Sequence, residues 1–252
     1  MNRVQPFPLA RTGRRTALLL SAALLSVLLA ISLLALWPTP ASTLCGELCS
    51  ALTQASVASL KRLAAGLLIG SLIGSVLGVL LGSYRWAEYL LGPLCHGLRQ
   101  LPLFGWIGLL GLWAGYGEGG KITFVSLAVS FVMLVSTQQA VHSIAPRLIE
   151  VARSYQLPTL LRWRVLLLPS VLPAWLAGLR IALAVAWGAT VGAEILVGNA
   201  ALGLGAFIWG QRELGQVYPI VLGTVLIGAF GLLGDLALRA LERRCQIWLG
   251  QA

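Results

Sequence analysis

From Ala17 to Trp37 the chain carries no Asp, Glu, Lys or Arg, and the same holds for Leu63 to Tyr84, Gln100 to Gly117, Ile122 to Val141 and Val217 to Gly234. A helix crosses the hydrocarbon core of a bilayer with about 20 predominantly apolar residues, so these runs have the length of membrane spans. In lipid each backbone N–H and C=O must find its partner inside the span, and a helix achieves this. A further run, Leu172 to Val197, has the length but holds Arg180 and Glu194. Six spans, at approximately 17–37, 63–84, 100–117, 122–141, 172–197 and 217–234, predict an all-α polytopic membrane helix bundle. Composition agrees: 58% of residues are hydrophobic and 10% charged, where a soluble domain has about a quarter charged.

The net charge of +10 would suggest nucleic acid in a soluble chain. Here the cations stand between apolar runs, which is what orientation in a bilayer requires, and nucleic acid is not an expected partner. Arg3, Arg11, Arg14, Arg15, Arg85, Arg99, Arg147, Arg153, Arg162, Arg164, Arg239, Arg243 and Arg244 account for most of the 18 basic residues and fall on one side of the predicted spans. Lys61, Arg62, Lys121 and Arg212 fall on the other, and Arg180 lies within a span. Cytoplasmic loops collect Arg and Lys. The expectation is a cytoplasmic N-terminal segment, 1–16, a transmembrane domain over 17–252, a cytoplasmic loop at 142–169 and both termini cytoplasmic. The first run is longer than the roughly 7–15 apolar residues of a signal peptide, so it reads as a span.

Gly66, Gly70, Gly74, Gly78 and Gly82 recur every fourth residue of the second span. That spacing lines one side of a helix with residues lacking side chains, which lets another backbone approach closely in lipid. Ser50–Arg62 reads as a mildly amphipathic lead-in to this span, and Arg85–Arg99 as an inside loop or interfacial helix containing Pro93. Cys45 and Cys49, in the expected outer loop, allow a local disulfide or two small residues on one helical face. Cys95 and Cys245 read as packing residues, and with only two histidines no zinc site is predicted. Gly115-x-x-x-x-Gly120-Lys121 begins like a phosphate loop, but Ile122 stands where Ser or Thr must hold magnesium and no strand precedes it. The chain therefore lacks the features of a nucleotide site.

Between the fourth and fifth spans lies His142 to Pro169, rich in arginine and able to form helix. Its Glu150-x-Ala152, followed by Leu168-Pro169, resembles the cytoplasmic EAA loop of bacterial ABC importer permeases. Leu101-Pro102, Gly115-Tyr116-Gly117-Glu118 with Lys121-Ile122, Leu172-Pro173, Gly178-Leu179-Arg180, Ala193-Glu194, Gly203-Leu204-Gly205 and Leu241-Glu242-Arg243-Arg244 extend the resemblance over roughly residues 60 to 248. Together they are similar to the nitrate/sulfonate/taurine branch of that family. Val151 departs from the family's Ala, and Gln156 from its nearly invariant Gly. That glycine turns the chain sharply at positive φ. Gln adopts such a backbone less readily, and Pro158 is expected to end the helix instead by pushing Leu157 out of the helical region. Thr159 would then cap a second short helix containing Trp163.

The resemblance implies a permease subunit that carries a small, anionic solute such as nitrate, a sulfonate or taurine. It implies two partner ATPase subunits that bind ATP and Mg, a second permease subunit expected as another copy of this chain, and a periplasmic or extracellular solute-binding protein. The bacterial inner membrane is the implied location. Glu150, Ala152, Arg153, Ser154, Gln156, Leu157 and Pro158 would form the ATPase-coupling loop. No cofactor and no catalytic residue are expected in this chain itself. Arg180 lies ~12 Å into its span at ~1.5 Å per residue, where a charge faces the protein interior or a cavity and finds a partner. Both an ion pair and contact with an anionic solute are open for it. Glu194, with Trp187 and Thr190 on neighbouring turns, reads as the outer end or gate of the pathway. A membrane-embedded enzyme using Glu194 or a histidine, and a non-transporting scaffold, are the competing classes. The first lacks a nucleophile and base at workable spacing.

Overall fold

The computed structural model describes residues 44–145, 147–148, 150, 154–156, 158, 161, 168–197 and 202–248. The expected first span, 17–37, lies outside them. Among the described residues the regular elements are helical: α1 (Leu44–Ser83), α2 (Arg85–Gln100), a 3-10 turn (Leu103–Gly105), α3 (Trp106–Ala114), α4 (Glu118–His142), α5 (Leu168–Leu196), α6 (Leu204–Glu213) and α7 (Val217–Trp248). Four of them, α1, α4, α5 and α7, are long and apolar enough to cross a membrane.

The glycine stripe of α1 is the seam against α4. A Cβ on Gly66 would stand 2.5 Å from Val125 Cγ1, one on Gly74 2.8 Å from Met133 Cβ, and one on Gly78 2.7 Å from Thr137 Cβ. The carbonyls of Ser126 and Ser130 meet the same positions on Gly70 and Gly74. Every fourth residue of one helix thus faces every fourth of the other, and a side chain in place of hydrogen would strike backbone. Close approach of this kind supplies the van der Waals contact that holds helices together in lipid.

The partners also give direction. Residue numbers rise together along the seam, from Gly66 with Val125 to Gly82 with Val141, so α1 and α4 run parallel. A chain that leaves one helix and enters a parallel neighbour must cross back between them. Residues 84–117 make that return. Its first half is α2, whose Glu88 carboxylate lies 3.9 Å from His142 at the end of α4. Its second half brings Phe104 beside Phe124, ring centroids 6.2 Å apart, near the start of α4. The return begins at α2, where an inside loop or interfacial helix was expected; the segment is helical over Arg85–Gln100 and is not among the helices long and apolar enough to cross a membrane. It is broken at Leu101 (φ −67, ψ 135) and Pro102 (φ −54, ψ 129), so that Gln100–Gly117 is not one helix. Proline has no N–H to continue the ladder and forces its predecessor out of helical geometry.

Helix α5 runs opposite to α1 and α4. Trp175 Nε1 donates to Ser75 Oγ at 2.7 Å near one end of α1, while Glu194 meets Ser59 and Arg62 further back along it. Helix α7 reverses direction again, placing Gly231 beside Trp187 and Gly234 beside Leu183. The bundle has two ends: one carries Arg62, Glu118, Glu194 and α6; the other carries Ser83, His142, the loop into α5 and the C-terminal part of α7. Between them lies a core of Phe124, Val125, Val129, Met133, Ala182, Ala186, Ala193 and Leu204. Helix α1 begins at Leu44, so Ser50–Arg62 is continuous with the span and Cys49, a free thiol, sits in helix rather than in an outer loop. Helix α7 likewise continues through Asp235 to Trp248.

Candidate functional site

At the α6 end, four charged side chains from three helices meet. Arg62 of α1 is 4% exposed, and its guanidinium spans two carboxylates. Nε and Nη2 donate to Glu118 Oε2 and Oε1 at 2.6 and 2.7 Å, a bidentate pair, and Nη1 donates to Glu194 Oε1 at 2.7 Å. Lys121, 1% exposed, brings Nζ to 3.7 Å from Glu118 Oε1. Two cations thus face two anions. Taking charges out of water is expensive, and only such pairing with good hydrogen-bond geometry offsets it.

Glu194 is 2% exposed and completes its coordination with neutral donors. Ser59 Oγ donates to Oε1 at 2.6 Å, and the Gly205 amide donates to Oε2 at 2.8 Å. Ser59 Oγ in turn accepts from the Leu204 amide at 2.8 Å. The carboxylate therefore satisfies the Gly205 amide and Ser59 the Leu204 amide, two otherwise orphaned donors of the first turn of α6, where an anion also meets the positive end of the helix dipole. Gly203 explains how the loop comes so near. Its φ of 169 is open to any residue, yet a Cβ there would lie 2.5 Å from Glu194 Oε1. One on Gly205 would lie 2.8 Å from Val191 O. The glycines are needed for room.

The other residues expected on the pathway share the face of α5 with Glu194 but point into the protein. Thr190 is fully buried and donates to the Ala186 carbonyl at 2.8 Å. Trp187 is buried and stacks on Phe230, with ring planes 8° apart. Arg180, toward the loop end, donates from Nε to Asp235 Oδ1 at 2.9 Å and from Nη1 to Glu242 Oε2 at 3.2 Å. Asp235 Oδ2 also lies 2.7 Å from Arg239 Nε. Two carboxylates of α7 thus neutralise Arg180, which is the ion-pair alternative. About 14 residues of helix separate it from Glu194, so the two charges belong to different clusters, ~21 Å apart along the axis.

Of the coupling-loop residues, Ala152, Arg153 and Leu157 lie outside the described residues, as do Thr159 and Trp163. Glu150, Ser154, Gln156 and Pro158 are exposed. Ser154 Oγ donates to the Glu150 carbonyl at 3.0 Å, one helical turn back. Gln156 itself takes φ 49. The turn is therefore made at the position where the family has glycine, and not by Pro158 as its substitute. The required backbone prevails over the side chain's preference, at a cost of about 1–2 kcal/mol for a residue with a Cβ.

Sequence reasoning left Ser59, Arg62, Glu118 and Lys121 out of the site, treating Arg62 and Lys121 as orienting charges in outer loops. The signal was present: Glu194 in a span demands a cation at its own depth, and Ser59-x-x-Arg62 sets donor and cation on one helical face. Asp235 and Glu242, at a spacing of seven on α7, form the matching partner set for Arg180.

The fold aligns with a chain from a solved structure titled as inward-facing conformations of the MetNI methionine ABC transporter, with a TM-score of 0.71 and 19% identity, covering 79% of this chain and 98% of that one. The bundle thus has the fold of that transporter chain. Residues 66–247 match the family of binding-protein-dependent transport system inner membrane components, and the chain belongs to that family. It is 34% identical over 165 residues to SsuC of Escherichia coli (strain K12), described as an aliphatic sulfonates transport permease, a match covering 66% of this chain and 61% of that protein. It is 31% identical over 198 residues to the bicarbonate transport system permease CmpB of Synechococcus elongatus, covering 79% of this chain and 71% of that protein.

Proposed function

We propose that this chain is the membrane subunit of an ATP-driven importer of a small anionic solute in a bacterial inner membrane. The observation that carries the reading is the family match over residues 66–247, joined to a loop between α4 and α5 whose described side chains are exposed at one end of the bundle. In this reading two copies of the chain form the passage, and an external binding protein delivers the solute. Two ATPase subunits bind ATP and Mg at the cytoplasmic face; the chain itself catalyses nothing. The loop end is cytoplasmic, because Arg85, Arg147, Arg239, Arg243 and Arg244 gather there. Both termini are then cytoplasmic.

The loop of Glu150, Ala152, Arg153, Ser154, Gln156, Leu157 and Pro158 would dock on the ATPases and pass on their closure. A rigid element with two seats is what such coupling needs. Glu194, Thr190 and Trp187 would act as the fixed part of an outer gate, held by Arg62 and the first turn of α6. Arg180 would tie α5 to α7, so that both helices answer the loop together. The test is co-purification. Glu150→Arg is expected to release the ATPase subunits from the membrane complex and abolish ATP-dependent solute uptake into vesicles; an intact, active complex carrying that change would contradict the reading.

A further inference from the structure

We propose that the apolar run Ala17–Trp37 of this same chain packs antiparallel to α1 and fills the groove between α1 and α7. The proposal goes beyond the importer reading and does not depend on which solute is carried. The groove lies in the half of the bundle nearer the α6 end. Leu48, Leu52 and Leu60 of α1 form one wall and Leu222, Leu226 and Phe230 of α7 the other, around about 570 Å³. Helices α1 and α7 barely touch, and Val57, on the α1 wall, is 50% exposed. Of the four membrane-length helices α7 has the least cover from the described chain: 6% of its most apolar stretch is buried, against 56% in α4. The groove asks for an apolar occupant. Its α1 hydroxyls are spent on their own helix, Thr53 Oγ1 donating to the Ser50 carbonyl at 2.8 Å and Ser56 Oγ to the Leu52 carbonyl at 2.7 Å. A polar solute would give up its water there with little in return.

The chain that precedes α1 brings such an occupant to the mouth of the groove. Helix α1 begins at Leu44, one turn before Leu48, and Pro38–Thr43 alone separates it from Trp37. That link spans at most about 25 Å at ~3.6 Å per residue. A run that ends where α1 starts returns beside it in the opposite direction. As a helix it is ~31 Å long at ~1.5 Å per residue, which carries it from the mouth past Leu60 to the level of Leu68 and Leu72. There a second hollow opens between α1 and Trp175. Among the described residues neither hollow is lined by α4, so the glycine seam leaves this flank of α1 free. Ala22, Ser26 and Ala30 recur every fourth residue of the run, and small residues at that spacing let helices approach closely in lipid. Tethering decides between this occupant and its competitors. The short link holds the run at an effective concentration on the order of millimolar, whereas a lipid tail has no apolar advantage over a leucine and a second copy must be recruited from outside. The run lies before the matched residues 66–247; by bridging α1 and α7 it stiffens the α6 end.

Disulfide mapping on the full-length chain in membranes tests this, and it needs no transport. Cys45, Cys49, Cys95 and Cys245 are replaced by serine, and a protease site is placed in the Pro38–Thr43 link. Val57 lies ~20 Å along α1 from Leu44 at ~1.5 Å per residue, level with the part of the run about 13 residues before Trp37. Val57→Cys is therefore paired with a cysteine placed in turn at each position from Leu20 to Leu28. A disulfide needs Cα atoms within ~7 Å, so the tether alone does not produce one at this depth. After oxidation and cleavage, at least one pairing is expected to abolish release of the N-terminal fragment, with the chain still running as a monomer before cleavage. The same series paired with Gln54→Cys, an exposed residue outside the groove, is expected to release the fragment throughout. Disulfide-linked dimers before cleavage would put a second copy in the groove, and release from every Val57→Cys pairing would leave the groove to lipid. Either result, or equal joining through Gln54→Cys, overturns the proposal.

Discussion

The two ends of the bundle treat charge in opposite ways. At the α6 end, Arg62, Lys121 and Glu194 are withdrawn from solvent, and each is matched to a partner or to a backbone amide. At the loop end, Arg180, Asp235 and Arg239 are about a quarter to a third exposed, the loop displays Glu150 and Tyr155, and its turn uses a residue in a disfavoured backbone state. The first arrangement penalises any displacement, because a separated pair leaves a charge without compensation. The second surrenders little when it moves. A molecule built this way has a fixed end and a yielding end, and the yielding end is the one that would meet a motor.

The largest effect should come from breaking the fixed end. Glu194→Ala leaves Arg62 Nη1, the Ser59 hydroxyl and the Gly205 amide without their acceptor, and the expected loss is about 3–5 kcal/mol, read as a fall in thermal stability of the purified protein in detergent. Retained stability would mean that the end is held by packing alone. Next comes the seam joining the two ends. Gly74→Ile drives a side chain against Met133 and the Ser130 carbonyl, with an expected cost of about 2–3 kcal/mol from overpacking, whereas Gly46→Ala, with nothing within 4 Å of its Cβ, should be silent in the same melt.

Smaller effects belong to the loop end. A double-mutant cycle of Arg180→Met with Asp235→Asn should give a coupling of about 1 kcal/mol or less, since Arg180 keeps Glu242 and Asp235 keeps Arg239 when the other partner is lost. A coupling of several kcal/mol would erase the contrast between the ends. Gln156→Gly should stabilise the chain by about 0.5–1 kcal/mol, by relieving the left-handed backbone at φ 49. Destabilisation there would show that the glutamine side chain has a use of its own.

Much of this was legible in the residues. The uncharged runs at 63–84, 122–141 and 217–234 fall in helices long enough to cross a membrane, because lipid leaves the backbone little alternative, and the four-residue glycine period reads directly as a seam because only hydrogen fits where backbones touch. The return was harder. Helix α2 carries Arg85, Glu88, His96 and Arg99, which keeps it from reading as a span, and the break at Leu101 and Pro102 divides Gln100–Gly117, a backbone detail that hydropathy does not register. The charge network was half visible. Glu194 announces itself inside an apolar run, but Arg62 stands beside Lys61 at the edge of one and reads as an orienting charge until Glu118 and Glu194 are seen around it. At Gln156 the family's glycine marked the turn, and the backbone stayed faithful to it although the residue changed.

Amide exchange on the membrane complex, with and without its ATPase subunits, bears most directly on the claim of one fixed and one yielding end. The amides of Leu204 and Gly205 are predicted to exchange slowly in both states, while those of Ser154, Tyr155 and Gln156 exchange fast alone and become protected when the ATPase binds. Rapid exchange at Leu204 and Gly205, or no protection at Ser154–Gln156 in the full complex, would contradict it.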